Sequence, residues 1–264
     1  MKIVCLVKFI PDVENFAYDY KRNTLIRENV RLIINPDDTC ALALALKLKE
    51  KNPGISIEVV SMAPLNVIPI MEDLIRRKID RATLISDKLY AGSDTYVTSM
   101  IIARYLKNTR FDCIFTGTRS IDGDTAHVPS QIAEILGISN INHIIDLEDD
   151  SFNNESAIVK VDFEKSIGRY KIKLPAVLSF QKVSKYKLPY IKYEDLYLDA
   201  KDKITIVTNK DLGFDESEVG LKGSLTRVTK TFFKEFAKKK NIIVTTDDDG
   251  IETVYKYLRL KGFV

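Results

Sequence analysis

Apolar residues in this chain switch between continuous runs and a helical period, and the alternation predicts a layered α/β fold. Residues 3–7 (IVCLV) form an unbroken apolar run, the pattern of a strand covered on both faces. Pro11 then forces the chain into a loop, and a polar, tyrosine-bearing stretch occupies residues 12–31. Asn35-Pro36-Asp37-Asp38 reads as a turn and a helix start, and residues 39–51 (TCALALALKLKEK) have helical composition up to the stop at Asn52-Pro53-Gly54. Residues 55–61 predict a second buried strand, and Pro64 suits the first turn of a helix running to about Arg77. Residues 82–86 predict a short strand. Ser93 or Asp94 caps a helix through about Lys107, and residues 112–116 predict another strand. After a loop over residues 117–123, Asp124 or Thr125 is expected to open a helix through Leu136, with Gly137 as its stop.

The first 137 residues thus pass four times through strand, loop and helix. That order predicts a doubly wound parallel sheet, Rossmann-like, with helices on both faces. Residues 141–180 change to short strands (INHIIDL, SAIVKV, GRYKIKL, AVLSF), expected as an antiparallel extension of the same sheet. Residues 181–228 are irregular, rich in Lys, Tyr, Asp and Gly, and show no core of their own; residues 229–240 suggest a short helix. A last helix is expected over residues 251–261, where Ile251, Val254, Tyr255 and Leu258 make an apolar stripe. The predicted division is an α/β domain over residues 1–180 and an extended arm with a C-terminal helix over 181–264.

Composition narrows the function. Apolar residues make up 45% and charged residues 29%, ordinary for a globular chain. The net charge is +3, from 40 bases against 37 acids, with no basic stripe interleaved with aromatics, so no nucleic-acid partner is expected. Cys5, Cys40 and Cys113 are far apart and odd in number; Cys5 and Cys113 sit in strand-like runs, consistent with a reducing compartment. Two histidines, His127 and His143, without metal-ligand spacing, give no zinc site. No apolar stretch approaches the length of a membrane span, and a cytoplasmic location is expected.

The most specific segment runs from Gly117 through Arg119, Ser120, Ile121, Asp122, Gly123, Asp124 and Thr125 to Ala126, between a buried strand and a helix. Small residues there allow close backbone approach to a ligand. The N–H groups at the start of the following helix, near Thr125 to Val128, suit a phosphate or diphosphate. An ordinary capped helix after a βα loop, with Asp122 and Asp124 as caps, explains the same residues. Neither G-x-G-x-x-G nor a P-loop is present. Three further loops end at the same predicted sheet edge: Phe9-Ile10-Pro11-Asp12, Ser61-Met62-Ala63-Pro64 and Ala91-Gly92-Ser93-Asp94-Thr95. No nucleophile–base constellation appears.

Taken in order and spacing, the segments VKFIPD, INPDD, VSMAP, DRATLISD with AGSDT, IDGDTA with QIAEILG, LPAV, LPYI, DLG, GLKGSLTRV and the final YLRLKGFV resemble the beta subunit of electron-transfer flavoproteins over nearly the whole chain. The resemblance implies an adenine-nucleotide-binding fold, a heterodimer with a flavin-bearing alpha subunit, and an arm that wraps that partner. It also implies either of two ligands: AMP in one group of the family, a second FAD in an electron-bifurcating group. DGDTA at residues 122–126 is similar to the second group, so FAD is expected, fed by NADH and serving one high-potential path and one low-potential acceptor such as ferredoxin or flavodoxin. With AMP instead, the subunit would shuttle electrons from a flavin dehydrogenase such as an acyl-CoA dehydrogenase to a quinone reductase.

By matching position, the diphosphate would meet the backbone from Ser120 to Val128, His127 included. Asn35, Asp94 and Thr95 would line the nucleotide, with Phe9, Pro11, Ser61, Met62 and Ala63 near the adenosine or ring system. Leu188 matches the leucine that the family presents to its dehydrogenase. The chain departs from the family at Phe9 (usually glutamine), at Ala63 (usually glycine), and at His127-Val128-Pro129-Ser130 (usually Gln-Val-Gly-Pro). Ser184-Lys185-Tyr186-Lys187 stands where Pro-Arg-Tyr-Pro is usual. Outside the family, a stand-alone nucleotide-hydrolysing domain would hold Mg²⁺ at Asp122 and Asp124, and a structural subunit would leave the pocket empty.

Overall fold

The computed structural model describes residues 1–12, 18–19, 24–25, 31–182, 186–227 and 243–263. In chain order the elements are β1 (Lys2–Leu6), β2 (Phe9–Pro11), the two-residue strands β3 (Tyr18–Asp19) and β4 (Thr24–Leu25), β5 (Leu32–Ile34), α1 (Pro36–Lys51), β6 (Ser56–Met62), α2 (Ile68–Arg76), β7 (Arg81–Ile85), α3 (Thr95–Lys107), β8 (Cys113–Gly117) and α4 (Val128–Leu136). Then follow β9 (Ser139–Leu147), β10 (Ser156–Asp162), β11 (Ile167–Lys173), β12 (Ala176–Phe180), β13 (Ile204–Val207), the one-turn helices α5 (Asn209–Leu212) and α6 (Gly220–Gly223), and α7 (Asp248–Leu260).

Nine strands make one sheet in the order β11-β10-β9-β12-β8-β1-β6-β7-β13. From β9 through β12, β8, β1, β6 and β7 to β13, every pairing is parallel. Consecutive side chains of a strand point to opposite faces, and β1 shows the result. Ile3 and Cys5 join a core with Leu42 and Leu44 of α1 and with Met71 and Leu74 of α2. Val4 and Leu6 join a second core with Val97 and Ile101 of α3 and with Ile132 and Ala133 of α4. The doubly wound expectation holds, and the continuous apolar runs are the strands buried on both faces.

Two expectations need correction. Only β9, β10 and β11 form the antiparallel extension. The run AVLSF, expected there too, is β12, inserted between β9 and β8 and parallel to both. Its five residues are all buried, which an edge extension does not require and a central strand does.

The division at residue 180 also moves. The first compact unit runs from Met1 to Arg227. β13 pairs in parallel with β7, Ile204 opposite Ala82 and Val207 opposite Ile85. Beyond it, Asn209 N–H donates to Asp87 Oδ2 (2.9 Å), and Tyr90 Oη donates to Asn209 Oδ1 (3.0 Å). Arg104 donates to the Leu212 carbonyl (3.1 Å) and lies 4.4 Å from the Phe214 ring centroid. Val207, Leu212, Phe214 and Val219 are buried in the second core. Their irregular spacing matches no period, so the sequence shows no core there; they fill gaps beside β7 and α3 one at a time. Residues 228–264 form the second unit, which contains α7, N-capped by Asp247 through Gly250 N–H (2.9 Å). The helix expected over 229–240 lies outside the described residues.

Candidate functional site

After β1 the chain builds outward through β6 and β7, then crosses back to place β8 on the other side of β1. The direction of winding therefore reverses between β1 and β8. Loops leaving the carboxyl ends of two such strands diverge to opposite faces and open a crevice. Here those loops are residues 7–12 and 118–127.

The first turn of α1 ties the loops together. Asp38 is buried, and its carboxylate accepts from Lys8 N–H (2.8 Å), just past β1, and from Gly117 N–H (2.8 Å), the end of β8. Asp37 accepts from Arg119 N–H (3.3 Å) and from Lys182 N–H (3.0 Å), just past β12. Two consecutive carboxylates thus fasten the ends of three parallel strands. Burial pushes the Asp38 carboxyl up to about 7, against the pull of its two N–H donors. Burial raises Asp37 as well. Gly117 makes room for this pair: a Cβ there would run into Asp38 Oδ1, and would lie 2.6 Å from the Asp37 Cβ and 2.7 Å from the Asp38 nitrogen. Asn35, also buried, grips the β8 loop from both sides, donating to the Arg119 carbonyl (2.8 Å) and accepting from Ile121 N–H (3.3 Å).

The gripped loop carries two ion pairs. Lys8 Nζ reaches Asp122 Oδ1 and Oδ2, each at 2.8 Å, and Ser120 Oγ at 3.2 Å. Arg119 Nη1 reaches Asp124 Oδ1 at 3.0 Å. Partial burial raises the Asp122 carboxyl, but the Lys8 and Ser120 hydrogen bonds outweigh it and hold the group below its ordinary value. Asp124 (φ 49°) and Ala126 (φ 55°) adopt the left-handed region, which non-glycine residues seldom enter. For that reason α4 does not open at Asp124 or Thr125, as the sequence suggests. It opens at Val128, with Pro129 in the first turn and His127 as a cap that makes no side-chain bond. Among the described residues, the N–H groups of Thr125, Ala126, His127 and Val128 have no acceptor. Residues 121–125 are exposed, and a Cβ on Gly123 would meet nothing closer than 3.7 Å. The result is an accessible concave backbone with orphan donors at a helix start, suited to an anion.

The remaining expected residues divide. Ser61 lies one residue before the end of β6, and its buried Oγ has no partner. Met62 and Ala63 are half-buried beside it. Phe9 packs in the first core and pairs with Ile34, and Pro11 pairs with Leu32. Asp94 is committed elsewhere: it caps α3 at Val97 N–H (3.0 Å) and accepts from Thr226 N–H (2.9 Å) and Oγ1 (3.0 Å). Thr95 opens that helix. Leu188 is half-buried against the first core.

Residues 22–185 match the model of the electron transfer flavoprotein domain. The whole chain aligns, at 35% identity over 266 residues and 100% of each sequence, with the electron transfer flavoprotein subunit beta of Thermoanaerobacterium thermosaccharolyticum. The chain belongs to the electron transfer flavoprotein family, among its beta subunits. The beta subunit of Clostridium acetobutylicum is 34% identical over 244 residues, 92% of each chain. The caffeyl-CoA reductase-Etf complex subunit CarD of Acetobacterium woodii is 33% identical over 234 residues, covering 88% of this chain and 87% of that one.

The roles of four residues of this beta subunit's site, Lys8, Asp37, Asp38 and Arg119, are not given by the motifs that contain them. The signal for the aspartates is Asp37-Asp38 directly ahead of ALALAL, two carboxylates entering a helix buried on nearly every side. Such carboxylates need donors, and those donors come from strand ends that no local pattern links to them. Among the described residues, no helix is long and apolar enough to cross a membrane, and no cluster of His, Cys, Asp or Glu could hold a metal ion.

Proposed function

We propose that this beta subunit binds FAD on the loop of residues 118–128 and, paired with an alpha subunit, carries electrons between NADH and two acceptors. The observation that carries the reading is the open, orphan-donor backbone of Thr125 to Val128 at the switch point, held in shape by Asn35 and Asp37. The chain fits such a group: Gly123 leaves space over the loop, and Ser61 Oγ is a buried polar atom without a protein partner at the same sheet edge. The backbone of Ser120 to Val128 would hold the diphosphate, with Ser61, Met62 and Ala63 toward the rest of the cofactor. When bound, FAD supplies acceptance of a hydride from NADH and release of its two electrons singly. The residues of the chain bind, orient and tune, and no acid–base pair is required.

Docking of a flavin dehydrogenase is assigned to residues 186–198, a reading supported by CarD's membership of a caffeyl-CoA reductase complex. In that segment Tyr190 is 94%, Tyr193 82% and Tyr197 87% exposed, while Leu188 is half-buried against the first core. Aromatic side chains of this kind are common anchors of protein contacts. The low-potential acceptor would be a ferredoxin or flavodoxin.

The test is co-expression with the alpha subunit, followed by counting bound flavin and AMP per heterodimer. Two FAD without AMP, bleached by NADH, is the expected result. One FAD with one AMP overturns it and leaves a simple shuttle from an acyl-CoA dehydrogenase to a quinone reductase.

A further inference from the structure

The loop that would take a diphosphate carries two carboxylates of its own, Asp122 and Asp124, beside the N–H donors meant for an anion. Uncompensated, they would repel it. Each is met by a cation. Lys8 Nζ touches both oxygens of Asp122 at 2.8 Å, and Arg119 Nη1 touches Asp124 at 3.0 Å. Lys8 comes from the other side of the switch point, 114 residues away in sequence, so this pairing is made by the fold and not by neighbouring residues. The Lys8 side chain is 49% exposed and that of Asp122 34%; for Arg119 and Asp124 the values are 59% and 61%. Ion pairs this exposed add little to stability, so fold stability alone does not account for two of them on one loop. The Lys8 ammonium also lies 3.9 Å from where a Gly123 side chain would begin.

We propose that Lys8 and Arg119 are specificity-determining residues that cancel the charge of Asp122 and Asp124, so that an acidic loop accepts a nucleoside diphosphate group. The inference rests on the diphosphate reading given above and adds a role for residues outside the loop's backbone. It makes a distinctive demand: removing the lysine harms binding because a bare carboxylate is left behind, and removing the carboxylate as well repairs it. A purely mechanical tie between the loops would behave in the opposite way, since the double variant still lacks the tie.

The experiment titrates the full-length chain with ADP, a charged probe, and with adenosine, an uncharged one, at about 50 and about 300 mM salt. Lys8→Met is expected to weaken ADP roughly tenfold at low salt, and less at high salt, leaving adenosine unchanged. Lys8→Met combined with Asp122→Asn is expected to bring ADP back to within about threefold of the unaltered chain. Adenosine binding reports that each variant keeps its pocket. Equal losses for ADP and adenosine, a double variant as weak as Lys8→Met, or an unaffected Lys8→Met each overturn the inference while the diphosphate reading stands. An unaltered chain that binds neither probe overturns both.

Discussion

Replacing Asp38 by asparagine tests the carboxylate fastening at the start of α1. The wild-type group is buried, accepts from Lys8 N–H and Gly117 N–H at 2.8 Å each, and has its carboxyl raised from 3.8 to about 7. A carboxyl raised on folding binds its proton more tightly in the folded state. Its contribution to stability is therefore full below the unfolded value and is lost as pH rises through the folded one. Between about pH 4.5 and about pH 8, that loss comes to about 3 kcal/mol. An asparagine side chain cannot ionise, so the variant lacks this slope. It also turns an amide N–H₂ toward one of the two donors, which costs about 1–3 kcal/mol at every pH. Relative to wild type, Asp38→Asn should thus be clearly destabilised near pH 4.5 and about 3 kcal/mol better off near pH 8, with equal or greater stability there. Guanidinium denaturation of the full chain across that range measures the difference, provided the slope of the transition is unchanged. A stability difference that stays flat with pH would refute the burial argument for Asp38.

Other expectations follow from the same contacts. Gly117→Ala pushes a methyl group into Asp38 and Asp37, with 2.7 Å left to the Asp38 nitrogen, and should cost about 3 kcal/mol in denaturation midpoint terms; a variant of wild-type stability would show that the strand end moves freely. Asp94→Ala removes the α3 cap and the acceptor for Thr226, costing about 1–2 kcal/mol and speeding hydrogen exchange at Thr226. Burial raises the Asp94 carboxyl, but its donors outweigh burial and hold it below the ordinary value, so the contact is intact at neutral pH and is lost only as pH falls below the ordinary carboxylate range. Exchange at Thr226 that is unchanged in the variant would count against the latch.

The parallel core was legible because its signals are local. An unbroken apolar run gave β1, strongly apolar segments gave β6 and β8, and Asp94 marked the α3 start at the residue where the helix is capped. What escaped depends on distant partners. β12 looks like its neighbours in sequence, yet it leaves them to lie beside β8, about 60 residues earlier, because a run apolar on both faces needs cover on both. β13 has exposed Thr205 and Ile206 and no clear period, and its place is set by the open edge of β7. At the site, the IDGDTA loop stood out by composition, but the left-handed turns at Asp124 and Ala126 that delay α4 are conformations no residue type there demands. Asn35, expected to line a ligand, holds the loop from within, a role visible only once Arg119 and Ile121 stand beside it.

The pairing of β13 with β7 also bears on how the chain is made. Ile204 meets Ala82 across more than a hundred residues of intervening chain. During vectorial synthesis, β7 emerges from the ribosome early, with its outer row of N–H and C=O groups bare and four of its five residues of a kind buried in the finished domain. Until residue 207 follows, that row is an open template for any passing strand. The late strand acts as a seal on the growing domain, and the interval before it arrives is when a nascent chain most needs shielding from its neighbours.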